Sequence, residues 1–407
     1  MGTIVEEIFS KKLKRKVKAG DVVIAPVDYV MSHDTTTPLA IEAWKKIKKP
    51  IFNKKKIVIV FDHYYPSPEI KSAKTHKKIR TFIKKHNINN FFTQGVSHQI
   101  MIEKGFAVPG DIVIGGDSHT CTYGALGCFS TGMGSTDIGC TWATGKSWFK
   151  IPETININVS GKLKKGVYAK DLILMIIKLL GADGATYKSI EFSGNTIENM
   201  EIHERLTLSN MAIEAGAKCG LIRTDKKTKK YLKKKIAEIF PRNPEYEKII
   251  NIDAGKIEPQ IAYPDRVDNV CDIQEIENKK LDQVFIGTCT NGRYKDLEIA
   301  AEILENKKVK CRTIIVPASN NILKKAIDSG LIDTFINAGA VVCNPGCGPC
   351  VGRHQGILAK DETALTTMNR NFRGRMGSPD SGIFLASPAT AAASAVCGKI
   401  TDPRRLL

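Results

Sequence analysis

Short apolar runs recur through residues 1–150, and each stops abruptly against polar residues. Val22 to Ile24 leads on to His33, Asp34 and Thr35; Ile57 to Phe61 leads into Asp62 and His63; Ile112 to Ile114 leads into Asp117, Ser118, His119 and Thr120. Amphipathic stretches at helical spacing separate the runs, so the pattern predicts strands alternating with helices, an α/β fold. In open sheets of that kind ligands sit beyond the carboxyl ends of the strands, which makes the polar clusters candidate sites.

The pattern restarts near Ile151. Alternation from Ile155 to Val159 predicts a half-buried strand, and the run Ala169 to Leu180 predicts a helix. Asn210 and Glu214, four residues apart, would share one helix face. Pro259 to Pro264 reads as a linker. Beyond it Gln283 to Ile286, Thr313 to Val316 and Ala340 to Val342 predict the strands of a further α/β unit, with Cys289 after the first and Cys343, Cys347 and Cys350 after the last. The expected division is three α/β domains, 1–150, 151–265 and 266–407.

Composition narrows this picture. With 25% charged and 42% hydrophobic residues, the 407-residue chain has the make-up of a folded protein with a large core. The N-terminus carries Glu6 and Glu7 before any apolar run, and the greasiest stretch, Leu172 to Leu180, is short and broken by Lys178. No membrane span and a cytoplasmic location are expected. Eleven cysteines, an odd number, point to reduced thiols rather than a disulfide framework. The net charge of +19 is mostly lysine, densest from Lys226 to Lys235, with no aromatic stacking motif beside it. That is the pattern of a solvated helix face, so nucleic acid is not an expected partner. The glycine-rich run Tyr123 to Gly134 contains no GxGxxG, and Cys140 stands where a phosphate loop ending at Gly145, Lys146 and Ser147 needs its first glycine. Close backbone packing beside a site is the expected use of those glycines.

Candidate metal chemistry centres on Cys343 to His354, three thiols in eight residues interleaved with Gly and Pro. Three arrangements fit such a loop. Its Cys-x3-Cys-x2-Cys spacing resembles the cluster motif of radical-SAM enzymes, but too little chain follows Cys350 to build their barrel. Cys343, Cys347, Cys350 and His354 could close around zinc as a structural site. Alternatively Cys289, Cys347 and Cys350 could hold a [4Fe-4S] cluster with one iron left open as a Lewis acid, Cys343 then being a small buried hydrophobe.

Four motifs in order carry a resemblance: Gly-Gly-Asp117-Ser118-His119-Thr, Gly-Thr-Cys289-Thr-Asn-Gly-Arg, Pro-Gly-Cys347-Gly-Pro-Cys350 and Asn369-Arg370-Asn-Phe-Arg-Gly-Arg375. Together they resemble the aconitase superfamily over nearly the whole chain. The resemblance implies three aconitase-like α/β domains around a [4Fe-4S] cluster held by Cys289, Cys347 and Cys350. It implies that Asp62 and His63 protonate the leaving hydroxyl, and that His98 pairs with Glu214 across the domain boundary. Asp117 and His119 would hold the hydroxyl or water, with Ser118, Asn210 and Asn369 near the substrate and Arg370 and Arg375 on its carboxylates. Where aconitase has a substrate-binding glutamine this chain has His33, a departure that fits a dehydratase branch. The implied reaction is reversible dehydration and rehydration of a hydroxy di- or tricarboxylate, 2-isopropylmalate first and homocitrate as the alternative. The chain stops before the family's fourth domain, so the resemblance implies a separate small subunit completing the site. A cluster-free RNA-binding regulator is the alternative of another class.

Overall fold

The computed structural model describes residues 2–407. Its contacts gather the chain into two compact units: Met1–Thr93, Ile100–Ser160 and Ala185–Ile252 form the first, and Gln94–Gln99, Gly161–Gly184 and Asp253–Leu407 the second. Among the described residues no helix is long and apolar enough to cross a membrane.

The first unit is built on a five-stranded parallel sheet in the order Phe91–Phe92, Ile57–Val60, Tyr29–His33, Ile112–Gly115, Phe129–Gly132. Ile57–Val60 and Ile112–Gly115 are buried at every position, as continuous β-branched runs must be when helices cover both faces of a sheet. His33 pairs opposite Val60 and Met31 opposite Gly115, so neighbouring strands end together. The strand that delivers His33 is therefore Tyr29–His33, not the apolar run before it. Val22–Pro26 pairs antiparallel with Lys146–Lys150 in a separate ribbon, with Val23, Ala25 and Phe149 inward and Ile24 and Trp148 outward.

A four-stranded sheet, in the order Cys219–Ile222, Ser189–Ser193, Thr154–Ser160, Lys248–Asp253, completes this unit. Thr154–Ser160 is almost wholly buried rather than half-buried. The polar positions are tolerated because neighbouring strands satisfy them: Asn156 donates to Glu191 O, and Asn158 to Asn251 Oδ1. The α-helix carrying Asn210 ends at Met211, and Glu214 lies on the 3₁₀ turn Ala212–Ala215, so the two do not share a continuous helix face. In the glycine-rich run, a Cβ on Gly124 would overlap the Gly220 carbonyl, the close approach expected there.

The second unit has a seven-stranded sheet: Val270–Asp272, Gln260–Ala262, Gly382–Leu385, Thr363–Thr366, Gln283–Ile286, Arg312–Ile315, Val341–Val342. The last five are parallel, and the first two form an antiparallel edge. Gln260–Ala262 thus replaces the expected linker: it pairs with Val270–Asp272 on one side and, at Ala262, with Leu385 on the other. The helix Ala169–Leu180 runs over the expected residues, yet it packs on this sheet, where Asp171 accepts from Gln260 N. By contacts residues 151–160 and 185–252 group with the first unit, and residues 161–184 and 253–265 with the second.

Candidate active site

In the first unit the three polar clusters read from the sequence follow the carboxyl ends of adjacent parallel strands. Asp34, fully buried, accepts from the backbone N–H of His63 at 3.2 Å and of Tyr64 at 2.8 Å, which joins two of the loops. His63 Nδ1 lies 2.7 Å from Asp62 Oδ1, and its Nε2 lies 3.8 Å from Asp117 Oδ2. The His33 and His63 rings stack with centroids 4.0 Å apart and 14° between planes. Asp117 Oδ2 is also 3.6 Å from His33 Nε2.

Their surroundings push the two rings in opposite directions. Burial disfavours a charge on His63, but Asp62, with Asp34 and Asp117, overcomes it and raises the imidazole to about 10. His33, pressed by burial and by the positive His63, is lowered to about 4 despite the same carboxylates. Hydrogen bonding agrees: His33 Nδ1 accepts from the Thr35 backbone N–H at 3.3 Å, so the neutral ring carries its proton on Nε2, facing Asp117. One loaded proton donor thus stacks on one neutral ring.

Asp117 also caps the 3₁₀ helix Ser118–Leu126, accepting from His119 N at 2.7 Å. His119 Nε2 is bonded to Glu214 Oε1 at 2.7 Å, and Ser118 Oγ lies 3.3 Å from His119 Nδ1. Asn210, completely buried, donates to Thr122 Oγ1, which in turn donates to His119 O. His33, Asp62, His63, Asp117, Ser118, His119, Asn210 and Glu214 are therefore linked within one unit.

Sequence reading missed His76. It is 1% exposed on the helix Ile70–His86, its Nε2 3.1 Å from Asp34 Oδ2 and its Nδ1 2.7 Å from Ser67 Oγ. The signal was present: Ser72, His76, Ile79 and Phe82 form the buried stripe of an otherwise lysine-rich helix, and a histidine on such a stripe needs a partner. Volume does not locate the site. The cavity of ≈ 970 Å³ in this unit is lined by Trp44, Phe82 and lysines such as Lys45 and Lys77, and by none of the histidines and carboxylates described above.

In the second unit the cysteines again follow parallel strands: Cys289 after Gln283–Ile286, and Cys347 and Cys350 after Val341–Val342. Thr288 sits at φ 74°, a left-handed conformation that strains a β-branched residue and turns the chain sharply before Cys289. Gly348 supplies φ 57° between Cys347 and Cys350, where a Cβ would crowd Val316 and Phe285. The buried Arg293 guanidinium donates to Cys289 O and Thr290 O, both at 2.6 Å, and so braces this turn.

Two side chains point donors at sulfur. Asn369 Nδ2 is 3.5 Å from Cys289 Sγ and 3.1 Å from Thr290 Oγ1, and Arg375 Nη2 is 3.4 Å from Cys350 Sγ. Such donors suit thiolates that carry negative charge onto a metal centre. Cys343 is half-buried, its thiol pushed up by burial towards the neutral form. Arg370 is half-buried beside Asn369. His98, 4% exposed, belongs to the short segment Gln94–Gln99, which joins this unit through Val96 N to Ala318 O and Asn320 N to Gln94 O.

Comparison with known proteins finds similarity along nearly the whole chain. The aconitase family (aconitate hydratase) profile matches residues 6–398. The chain is 47% identical over 415 residues to the probable 3-isopropylmalate dehydratase large subunit of Methanothermobacter thermautotrophicus, covering 99% of each. It is 50% identical to 3-isopropylmalate dehydratase large subunit 1 of Thermotoga maritima, covering 100% of this chain and 99% of that one. It is 51% identical to the large subunit of Caldicellulosiruptor saccharolyticus, covering 97% and 94%. Among solved structures, aconitase X of Thermococcus kodakaraensis superposes with a TM-score of 0.56 at 12% identity, covering 97% of this chain and 96% of that one, a likeness of fold alone.

Proposed function

The chain belongs to the aconitase family, and from that premise we propose that it is the large subunit of a 3-isopropylmalate dehydratase, converting 2-isopropylmalate to 3-isopropylmalate in leucine biosynthesis. The observation that carries the reading is full-length similarity near 50% to large subunits of that name, joined to strand-end clusters of the matching chemistry. Cys289, Cys347 and Cys350 would hold a [4Fe-4S] cluster, whose open iron supplies Lewis-acid polarisation of a hydroxyl. The sulfur-directed donors of Asn369 and Arg375 support that donor set.

The remaining roles belong to the protein's own side chains. His63, kept charged by Asp62, delivers a proton to the departing hydroxyl from Nε2. Neutral His33 caps its charged neighbour with an uncharged ring and offers Nε2–H to Asp117 or substrate. Asp117 and His119, the latter oriented by Glu214, hold the hydroxyl or water for return to the adjacent carbon. Ser118 and Asn210 contact substrate or place those that do, and Arg370 and Arg375 bind carboxylate, for which a planar fork is suited. His98 completes the imidazole set. The large-subunit names of the relatives support a separately encoded small subunit completing the site.

An anaerobic assay of the chain co-purified with its small subunit tests this directly. Alkene absorbance is followed with 2-isopropylmalate, homocitrate and citrate side by side. Preference for 2-isopropylmalate is expected; preference for homocitrate would transfer the protein to the homoaconitase branch with its mechanism intact.

A further inference from the structure

Lys170 is the one fully buried lysine among the described residues, 1% exposed at the start of the helix Ala169–Leu180. An ammonium there is opposed by burial and by the positive end of the helix dipole. What it does instead is specific. Nζ donates to two consecutive carbonyls, Thr367 O at 2.9 Å and Met368 O at 2.7 Å. The next residue is Asn369, whose amide reaches Cys289 Sγ and Thr290 Oγ1.

The same short segment is tied from other sides. Thr367 Oγ1 accepts from Gly287 N at 3.0 Å, and Met368 N donates to Thr366 Oγ1 at 2.9 Å. Those bonds fix Thr367 against the loop before Cys289. The ammonium adds a further constraint, holding by their carbonyls the two peptide planes immediately before Asn369. It also places a cationic side chain behind a residue that hydrogen-bonds a thiol.

We propose that Lys170 is a positioning residue of the cluster site: it sets the Thr367–Met368 peptides so that Asn369 keeps its hydrogen bond to Cys289 Sγ. This inference rests on the proposed role of Cys289 as a cluster ligand and adds a determinant outside the ligand set. Residues that orient ligands or their hydrogen-bond donors cost about 10–100-fold in metal affinity or activity when removed.

The test uses the full chain with its small subunit, as wild type, Lys170→Met, Asn369→Ala and the double variant, prepared anaerobically. The readouts are iron and sulfide content, the EPR spectrum of the one-electron-reduced cluster, and kcat and KM. Lys170→Met is expected to alter the EPR spectrum in the same way as Asn369→Ala and to lower kcat by about 10–100-fold, with KM within about 3-fold. The double variant should be no worse than Asn369→Ala, because the two act through one hydrogen bond. An unchanged spectrum in Lys170→Met, or additive losses in the double variant, would overturn the proposal. Should Lys170→Met fail to fold, Asn369→Ala still decides: a wild-type spectrum there removes the link through which Lys170 acts. Lys170→Arg, which keeps charge and donors, must then restore the wild-type spectrum. Absence of iron and sulfide from the wild type would instead overturn the cluster assignment, a failure distinct from this one.

Discussion

The two units use one topological device for two kinds of chemistry. Each places its reactive side chains just beyond the carboxyl ends of parallel strands, where loops are free to vary while the sheet holds their roots. In the first unit the side chains satisfy one another: Asp62 with His63, Asp34 with His76, Glu214 with His119. In the second, the thiols are positioned by backbone geometry at Thr288 and Gly348 and met by donors from Asn369 and Arg375. The first arrangement presets where protons reside. The second leaves sulfur lone pairs available for metal.

That contrast can be broken most forcefully at the thiols. Replacing Cys350 by Ser should reduce iron and sulfide to background and activity below detection, since a three-ligand centre cannot lose a ligand and persist; near-full iron content would refute the ligand assignment. In the first unit, His63→Gln should leave iron content intact while lowering kcat by about 10²–10⁴-fold. Asp62→Asn should move the alkaline limb of the kcat profile from near 10 down towards the ordinary histidine value, because the charge holding the proton is gone. A limb that stays put would show that Asp62 does not govern the proton.

The stacked rings also make a prediction for stability. His63 binds its proton more tightly folded than unfolded, so its contribution is complete below about 6.5 and is lost as pH climbs through about 10. His33 does the reverse: the unfolded chain takes up a proton that the folded chain refuses, so stability falls as pH drops from about 6.5 towards about 4. Thermal unfolding across this range should show a shallower acid-side slope for His33→Gln than for wild type; identical slopes would sink the neutral-ring reading. The smallest expected effect is at His76. Substitution by Phe keeps the stack on Phe61 but strips Asp34 of one partner, and should cost about 1–2 kcal/mol in denaturant unfolding with a several-fold loss of kcat.

How much of this was legible in the chain can be judged at particular residues. Cys289, Cys347 and Cys350, Asp62 with His63, and Asp117 to His119 were all visible as polar groups following apolar runs, a local pattern. The helix Ala169–Leu180 was visible from its periodicity, but not that its second residue carries a buried ammonium aimed at Thr367 and Met368. Gln260–Ala262 was hidden because a three-residue strand gives no periodic signal, and only its pairing with Val270–Asp272 and with Leu385 makes it a strand. Val22–Pro26 looked like the strand before His33 until its partner, Lys146–Lys150, drew it into another ribbon.

The sequence by itself determined which chemical groups are present and, except at His33, which apolar runs they follow, because apolar periodicity and strand-end motifs act over a few neighbouring residues. Only the tertiary structure decided who pairs with whom: that Glu214 meets His119 from 95 positions away, and that His33 stacks on His63. Those choices set the protonation states, since burial and Coulomb forces depend on distances between residues remote in the chain, which no local pattern records.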